Sequence, residues 1–210
     1  MGGKKRFEEL EVERINVVGK DGKVKMTLAG TGMLPQPVLD GKEIGQRRGV
    51  PSSGIIFYNN EGDECGGLTF GSGKENGKQV SQTSISFDAF KQDQVLQISF
   101  FQEEEKRKYG VELWERPGEN LGEIVKKFKT INEMPGGEEK DELKKELIKN
   151  QERSRMFMGR NERGESIMSL SDSEGKERIR MIVDEKDNPR IEVLDSQGNI
   201  VYCLPPGKQW

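Results

Sequence analysis

Near its C-terminus the chain reads MFMGRNERGESIMSLSDSEGKERIRMIVDEKDNPRIEVLDSQGNIVYCL, and one kind of turn returns in it at almost constant spacing. Asn161, Asp172, Asp184 and Asp195 follow one another at intervals of 11, 12 and 11 residues. Three of them open the pattern Asx-x-x-Gly, ending at Gly164, Gly175 and Gly198, while the fourth turn, DEKDNP, is longer and ends in Pro189. An Asx side chain accepts hydrogen bonds from the backbone just ahead of it and so starts a turn. A glycine three residues later supplies the positive φ of a type I turn followed by a G1 bulge. Between the turns Ile179, Met181 and Val183 alternate with polar residues, as do Ile191 and Val193. Period-two apolarity means strands with one buried face, and such turns between them make an up-and-down antiparallel meander.

The same unit occurs earlier in looser form. INVVGKDGKVKMTL turns at Gly19 to Gly22, and GIIFYNNEGDECGGLTF turns at Asn59 to Gly62. Three further strands are expected around Ile85 to Phe87, Val95 to Phe101 and Tyr109 to Trp114. Between Glu119 and about Arg155 the period changes: Leu121, Ile124, Val125, Phe128 and Ile131 line one face of a helix. Pro135-Gly136-Gly137 breaks it, and a second helix with a thin stripe of Leu143, Leu147 and Ile148 follows. A Gly/Pro/Arg-rich loop fills 30–53, far longer than an ordinary connection, and is functional or ordered by contacts. The expected fold is mainly β: antiparallel hairpin and meander repeats with a helical insertion, a β-rich α+β chain. Its parts are an N-terminal β region at 1–118, a helical segment at 119–155 and a C-terminal hairpin repeat at 156–210.

The apolar supply is thin, 31% hydrophobic against 34% charged residues. Such a chain folds if its sheets bury one face only, or if subunits share a core, so self-association into a homo-oligomer is expected. Net charge is −3 with both signs interleaved, which disfavours nucleic acid as an obligate partner. No apolar run reaches membrane-spanning length. MGGKKRF has no apolar stretch behind it, and Arg6 stands where a myristoylation signal requires Ser or Thr. As given, the chain reads as soluble and cytoplasmic.

There is no histidine, so Ser-His-Asp, Cys-His and His-containing zinc sites cannot be built within this chain. The stretch NNEGDECGGLTFGSGKENGK, from Asn59 to Lys78, is the least bland. Its Gly73-Lys74 is followed by Glu75 where a phosphate loop needs Ser or Thr, so it reads as a hairpin loop. Placing Gly62 or Gly66 at the central glycine of an EF-hand puts Phe57 or Cys65 among the ligands, and both registers fail. Asp63 and Glu64 could still serve an irregular cation site, as could the turn aspartates. Glu112 and Glu115 beside Trp114 offer the carboxylate-plus-aromatic chemistry of sugar recognition, with Glu112 and Trp114 on one strand face. Asp63, Glu64, Glu112 and Trp114 are thus the ligand candidates; no catalytic, cofactor or metal residues are assigned. Cys65 and Cys203 read as buried small hydrophobes, and Trp210 as packing on the sheet or on a neighbouring subunit.

The order ERINVVGKDGKVKMTL, DGKEI, GIIFYNNEGDECGGLTFG, SFDAFKQDQVLQISF and SLSDSEGKERIRMIVDEKDNPRIEVLDSQGNIV resembles a family of bacterial hypothetical proteins across nearly the whole chain. That resemblance implies hairpin repeats and no established function or site residues. The residues themselves lead to a non-enzymatic structural or interaction module presenting loops, with a possible protein partner. A carbohydrate-binding or carbohydrate-cleaving protein is the alternative, and a calcium-stabilised β-repeat protein the third reading.

Overall fold

The computed structural model describes residues 4–116, 118, 120–149 and 152–206. Strands β1 (Arg14–Val18), β2 (Val24–Ala29), β5 (Ser52–Tyr58), β6 (Glu64–Glu75), β7 (Lys78–Asp88), β8 (Gln94–Glu103) and β9 (Lys106–Glu115) form the first part of the sheet. β10 (Arg153–Arg160), β11 (Ser166–Ser171), β12 (Glu177–Val183), β13 (Pro189–Leu194) and β14 (Ile200–Leu204) complete it. Two-residue strands β3 (Val38–Leu39) and β4 (Lys42–Glu43) pair only with each other inside the long loop. The rest is one 12-stranded sheet whose spatial order is the chain order. Every pairing in it is antiparallel, including β9 with β10 across the helical insertion. The expected mainly β fold, with antiparallel meander and helical insertion, is what the chain adopts.

The turns are built as their residues require. Asn59, Asn161, Asp172, Asp184 and Asp195 each accept backbone N–H bonds two and four residues ahead through Oδ1. A backbone N–H returns to the Asx carbonyl from the third residue on, at Gly62, Gly164, Gly175, Asp187 and Gly198. Those five residues have positive φ, so Asp187 takes the glycine's conformation in the turn that lacks one. Register shifts of the bulge type follow at Phe57/Tyr58, Leu170/Ser171 and Val193/Leu194. GSGKENGK is more ordered than a hairpin loop: Gly73 and Lys74 lie in β6, and the turn is only Asn76-Gly77, both at positive φ. An Asn-Gly pair is the strongest two-residue hairpin signal.

Because the register is kept across all twelve strands, like residues meet like. One row of cross-strand neighbours runs Ile15, Leu28, Ile55, Leu68, Ile85, Ile98, Val111, Met158, Met168, Met181, Ile191 and Leu204, one aliphatic residue per strand. A second row, two residues along, is apolar on every strand except at Gly66, and carries Phe57 and Phe87 in its first half. No side chain of either row is buried; Phe57, Phe87, Met158 and Met181 are 45%, 50%, 46% and 48% exposed. The alternation predicts one buried face, and the face that carries the apolar rows is open.

The buried residues lie on the opposite face. Thr27, Ile56, Val80, Ser169, Ile182 and Glu192 are all buried there. Over β5 to β8 the loop 30–53 covers this face and buries its own Leu39 and Val50. Its length has a mechanical reason: it leaves β2 at one end of the sheet, reaches the other end at Asp40, and returns to β5. Helix α1 (Leu121–Glu133), capped by Asn120, buries Ile124 and Ile131 and meets the loop where Gly122 faces Leu39. Helix α2 (Glu138–Lys149) packs on α1 and leaves Leu143 exposed. Over β11 to β13 charged pairs fill the same face: Glu192 bridges Arg180 and Arg190, each at 2.8 Å. Trp210 and the side chain of Ile148 lie outside the described residues.

Gly66 tests the closeness of the ladder. Its φ is +137°, and an added Cβ would stand 2.4 Å from the Ser86 carbonyl oxygen. Gly66→Ala should cost about 2–3 kcal/mol in urea unfolding. Gly22→Ala, where φ is +77° and nothing lies within 4 Å, should cost about 1 kcal/mol.

Candidate functional site

Three places could carry function: the corner around Asp63, a cleft under the 30–53 loop, and the open apolar face. The corner explains the DECGG segment. Asp63 is fully buried, and its Oδ1 accepts the Asp40 backbone N–H at 2.7 Å. Glu64 accepts two bonds from the Arg47 guanidinium, at 2.7 and 3.3 Å. Both acids therefore clip the long loop to the sheet, one on its outward arm and one on its return. Gly66 and Gly67 let β5 and β7 close on β6 beside them.

Asp40, Glu61 and Asp63 bring carboxylate oxygens within 4.8 Å of one another, the geometry of a cation site. The charge at their centre is Lys91. Its Nζ is paired with Asp40, lies 2.8 Å from Glu61 and is 3.8 Å from Asp63. These hydrogen bonds push the Lys91 pKa up, so the ammonium is retained throughout the ordinary pH range. Lys91 was not singled out by sequence reasoning; it sits in the turn KQDQ, which lacks the glycine signature, and takes positive φ itself.

Behind the corner lies a second acidic group. Asp88 is pushed up to about 7, first by burial and then by the charges of Glu64 and Asp93, with Arg116 opposing. Its Oδ1 is buried and has no hydrogen-bond partner among the described residues. Burial likewise raises Glu64, outweighing Arg47. Arg116 is held by the Gln94 carbonyl at 2.7 Å and by Glu152 at 2.8 Å.

The cleft, about 610 Å³, lies between the loop and the polar face of β6 to β8. Arg48, Gln82, Ser84, Gln97, Ser99 and Phe101 are among its lining. The Gln82 amide spends its donors on the Val50 and Arg48 carbonyls and the Ser52 hydroxyl, and the Thr69 and Ser84 hydroxyls are 3.0 Å apart. Its described lining contains no carboxylate. Glu112 and Trp114 share the polar face outside it. Glu112 is ion-paired with Lys108, itself 5.0 Å from the Phe157 ring, and the Arg116 guanidinium stands 5.8 Å from the Trp114 ring. The structure thus brings Asp63 and Glu64 together and leaves Glu112 and Trp114 in a separate polar strip. Cys65 and Cys203 are free and half-buried, and burial raises the Cys65 thiol.

The open face is shaped. Over β10 to β14 it forms a trough of about 890 Å³ lined by Met158, Met168, Met181, Ile191 and Leu204. Over β5 to β8 it presents Phe57, Phe70, Phe87 and Phe100. Family models, curated proteins and solved structures were compared with the chain, and none of them matches.

Two outcomes follow for the corner. Wild-type melting temperature should be unchanged by calcium or by a chelator, while Lys91→Met should melt several degrees lower because it removes the cation from among three carboxylates that lie within 4.8 Å of one another. For Asp88 the folded pKa lies above the ordinary 3.8, so the unfolded chain ionises first as pH rises. Its contribution to stability is present at pH 4 and is lost between there and about 7. Asp88→Asn should match wild type near pH 4 and melt higher than it above pH 7, read by scanning calorimetry across that range.

Proposed function

We propose that the chain is a non-enzymatic β-repeat interaction module whose working surface is the open apolar face. One observation carries this: two apolar rows run across the whole sheet on a face that the described chain leaves uncovered. Exposed apolar patches on single proteins reach a few hundred Å², and larger ones mark interaction sites. A band spanning twelve strands at ~4.8 Å spacing and two rows in height is on the order of 800 Å². Loop 30–53 lies on the opposite face, with α1 against the loop and α2 against α1, and the apolar side is left free. The corner acids are spent on that loop, which supports a structural role for them over a cation site. Glu112 and Trp114 are occupied by Lys108 and Arg116, so the sugar reading gains no cleft with paired acids from them.

A charge in the middle of the open face separates working surface from structure. Ile98 is 47% exposed at the centre of the aliphatic row. Ile98→Arg should abolish association, whatever the occupant, while far-UV circular dichroism stays that of wild type. Association unchanged by Ile98→Arg would remove the face from the function.

A further inference from the structure

We infer that the open face is covered by the same face of a second copy, related by a two-fold axis running along the strand direction at the middle of the sheet. The inference rests on the reading of the face as an association surface, and adds the occupant and its orientation. Area is the first argument. About 800 Å² per partner is what a stable protein–protein interface of ordinary size requires, and the band supplies that amount. A bilayer fits it less well. The apolar band is two to three residues tall, whereas a membrane-facing sheet needs a band of ~25 Å on strands of about 9–11 residues. The net charge of −3 adds no attraction to anionic headgroups.

Shape fixes the orientation. A two-fold axis between facing sheets can lie along the strands or across them. An axis across the strands sets each half on itself, phenylalanines on phenylalanines and the methionine trough on an equal trough, which stays unfilled. An axis along the strands, between β8 and β9, lays each strand on its counterpart counted from the other edge. β7 then faces β10, β6 faces β11 and β5 faces β12. In the aliphatic row Ile85 meets Met158, Leu68 meets Met168 and Ile55 meets Met181, so bulky side chains of the first half fill the trough of the second. In the neighbouring row Leu170 falls over Gly66, the one position without a side chain. The interface is isologous and closes at two copies. Methionine, flexible and polarizable, suits the side that must adapt to the branched Ile85, Leu68 and Ile55.

The test is the mass in solution together with one distance. Val201 on the edge strand β14 points to the polar face and is 62% exposed, so a spin label there stays outside the interface. With Cys65→Ser and Cys203→Ser removing the native thiols, labelled Val201→Cys should sediment at twice the chain mass. The two labels, at opposite ends of the pair, should lie more than about 40 Å apart, since eleven strand spacings span ~50 Å. Ile98→Arg should return the mass to that of one chain. A dimer with labels closer than about 25 Å overturns the orientation: the axis then lies across the strands, or the edges pair. A mass that climbs with concentration past two copies points to edge-to-edge growth and overturns the closed pair. A monomer that binds phosphatidylcholine vesicles, and loses them with Ile98→Arg, overturns the second copy while leaving the face as the working surface. A monomer that binds no vesicles and is indifferent to Ile98→Arg overturns both.

Discussion

Every turn in this sheet must hand the side-chain alternation to the next strand in phase, and the architecture hangs on that. In a strand one residue of slip exchanges the two faces. Eleven successive connections preserve parity here, some through four-residue Asx turns with a compensating bulge, two through tight two-residue hairpins, and two through insertions of very different length. The result is a sheet whose two apolar rows stay on one face across its full width, while the hydroxyl, amide and ion-paired side chains of the cleft and the arginine ladder take the other, with Ile56, Val80 and Ile182 buried among them. Neither a loop crossing the sheet nor a helix pair disturbs the sorting, because β5 rejoins β2, and β10 rejoins β9, with the apolar rows in line.

The two halves stabilise their polar face differently. Where the loop lies over β5 to β8, ordinary burial is available, and Ile56 and Val80 use it at 1% exposure each. Over β11 to β13 the Arg180–Glu192–Arg190 ladder fills this face beside buried Ile182 and Leu194. Turn aspartates and the Asp88 corner respond to acid with opposite sign. Asp172, Asp184 and Asp195 are lowered by hydrogen bonds, with backbone N–H groups prominent among the donors, and favour the fold above their unfolded pKa. Asp88 favours it only while protonated.

Much of this was legible in the sequence. Asn161, Asp172 and Asp195 with their glycines announce turns, and Ile179, Met181 and Val183 announce a one-sided strand, because turn chemistry and alternation are local. The tight Asn76-Gly77 turn is equally local, and it lies inside the stretch that reads as a hairpin loop, though its strands extend further into that stretch than a loop allows. What sequence could not show was long-range. Asp63 and Glu64 stand out as acids near glycines, yet their partners, Asp40 and Arg47, lie in a loop whose path only the fold reveals. Lys91 follows no motif, and its place among three carboxylates comes from the meeting of two turns and the loop tip. Nor does alternation say which face is covered: it marks an apolar side and is silent on what lies against it.

Strand order that repeats chain order has a consequence for how the molecule comes into being. Each strand pairs only with those before and after it, so the sheet grows as a one-dimensional array and loop closure stays inexpensive. Low contact order of this kind favours rapid, sequential zippering, with each hairpin templated on the edge left by the last. The exception is the 30–53 loop, which can dock on Asp63 and Glu64 only after β6 has joined β5. The first half of the sheet must therefore assemble before its own clamp can close, whereas the second half has no such step and zips as fast as its turns form.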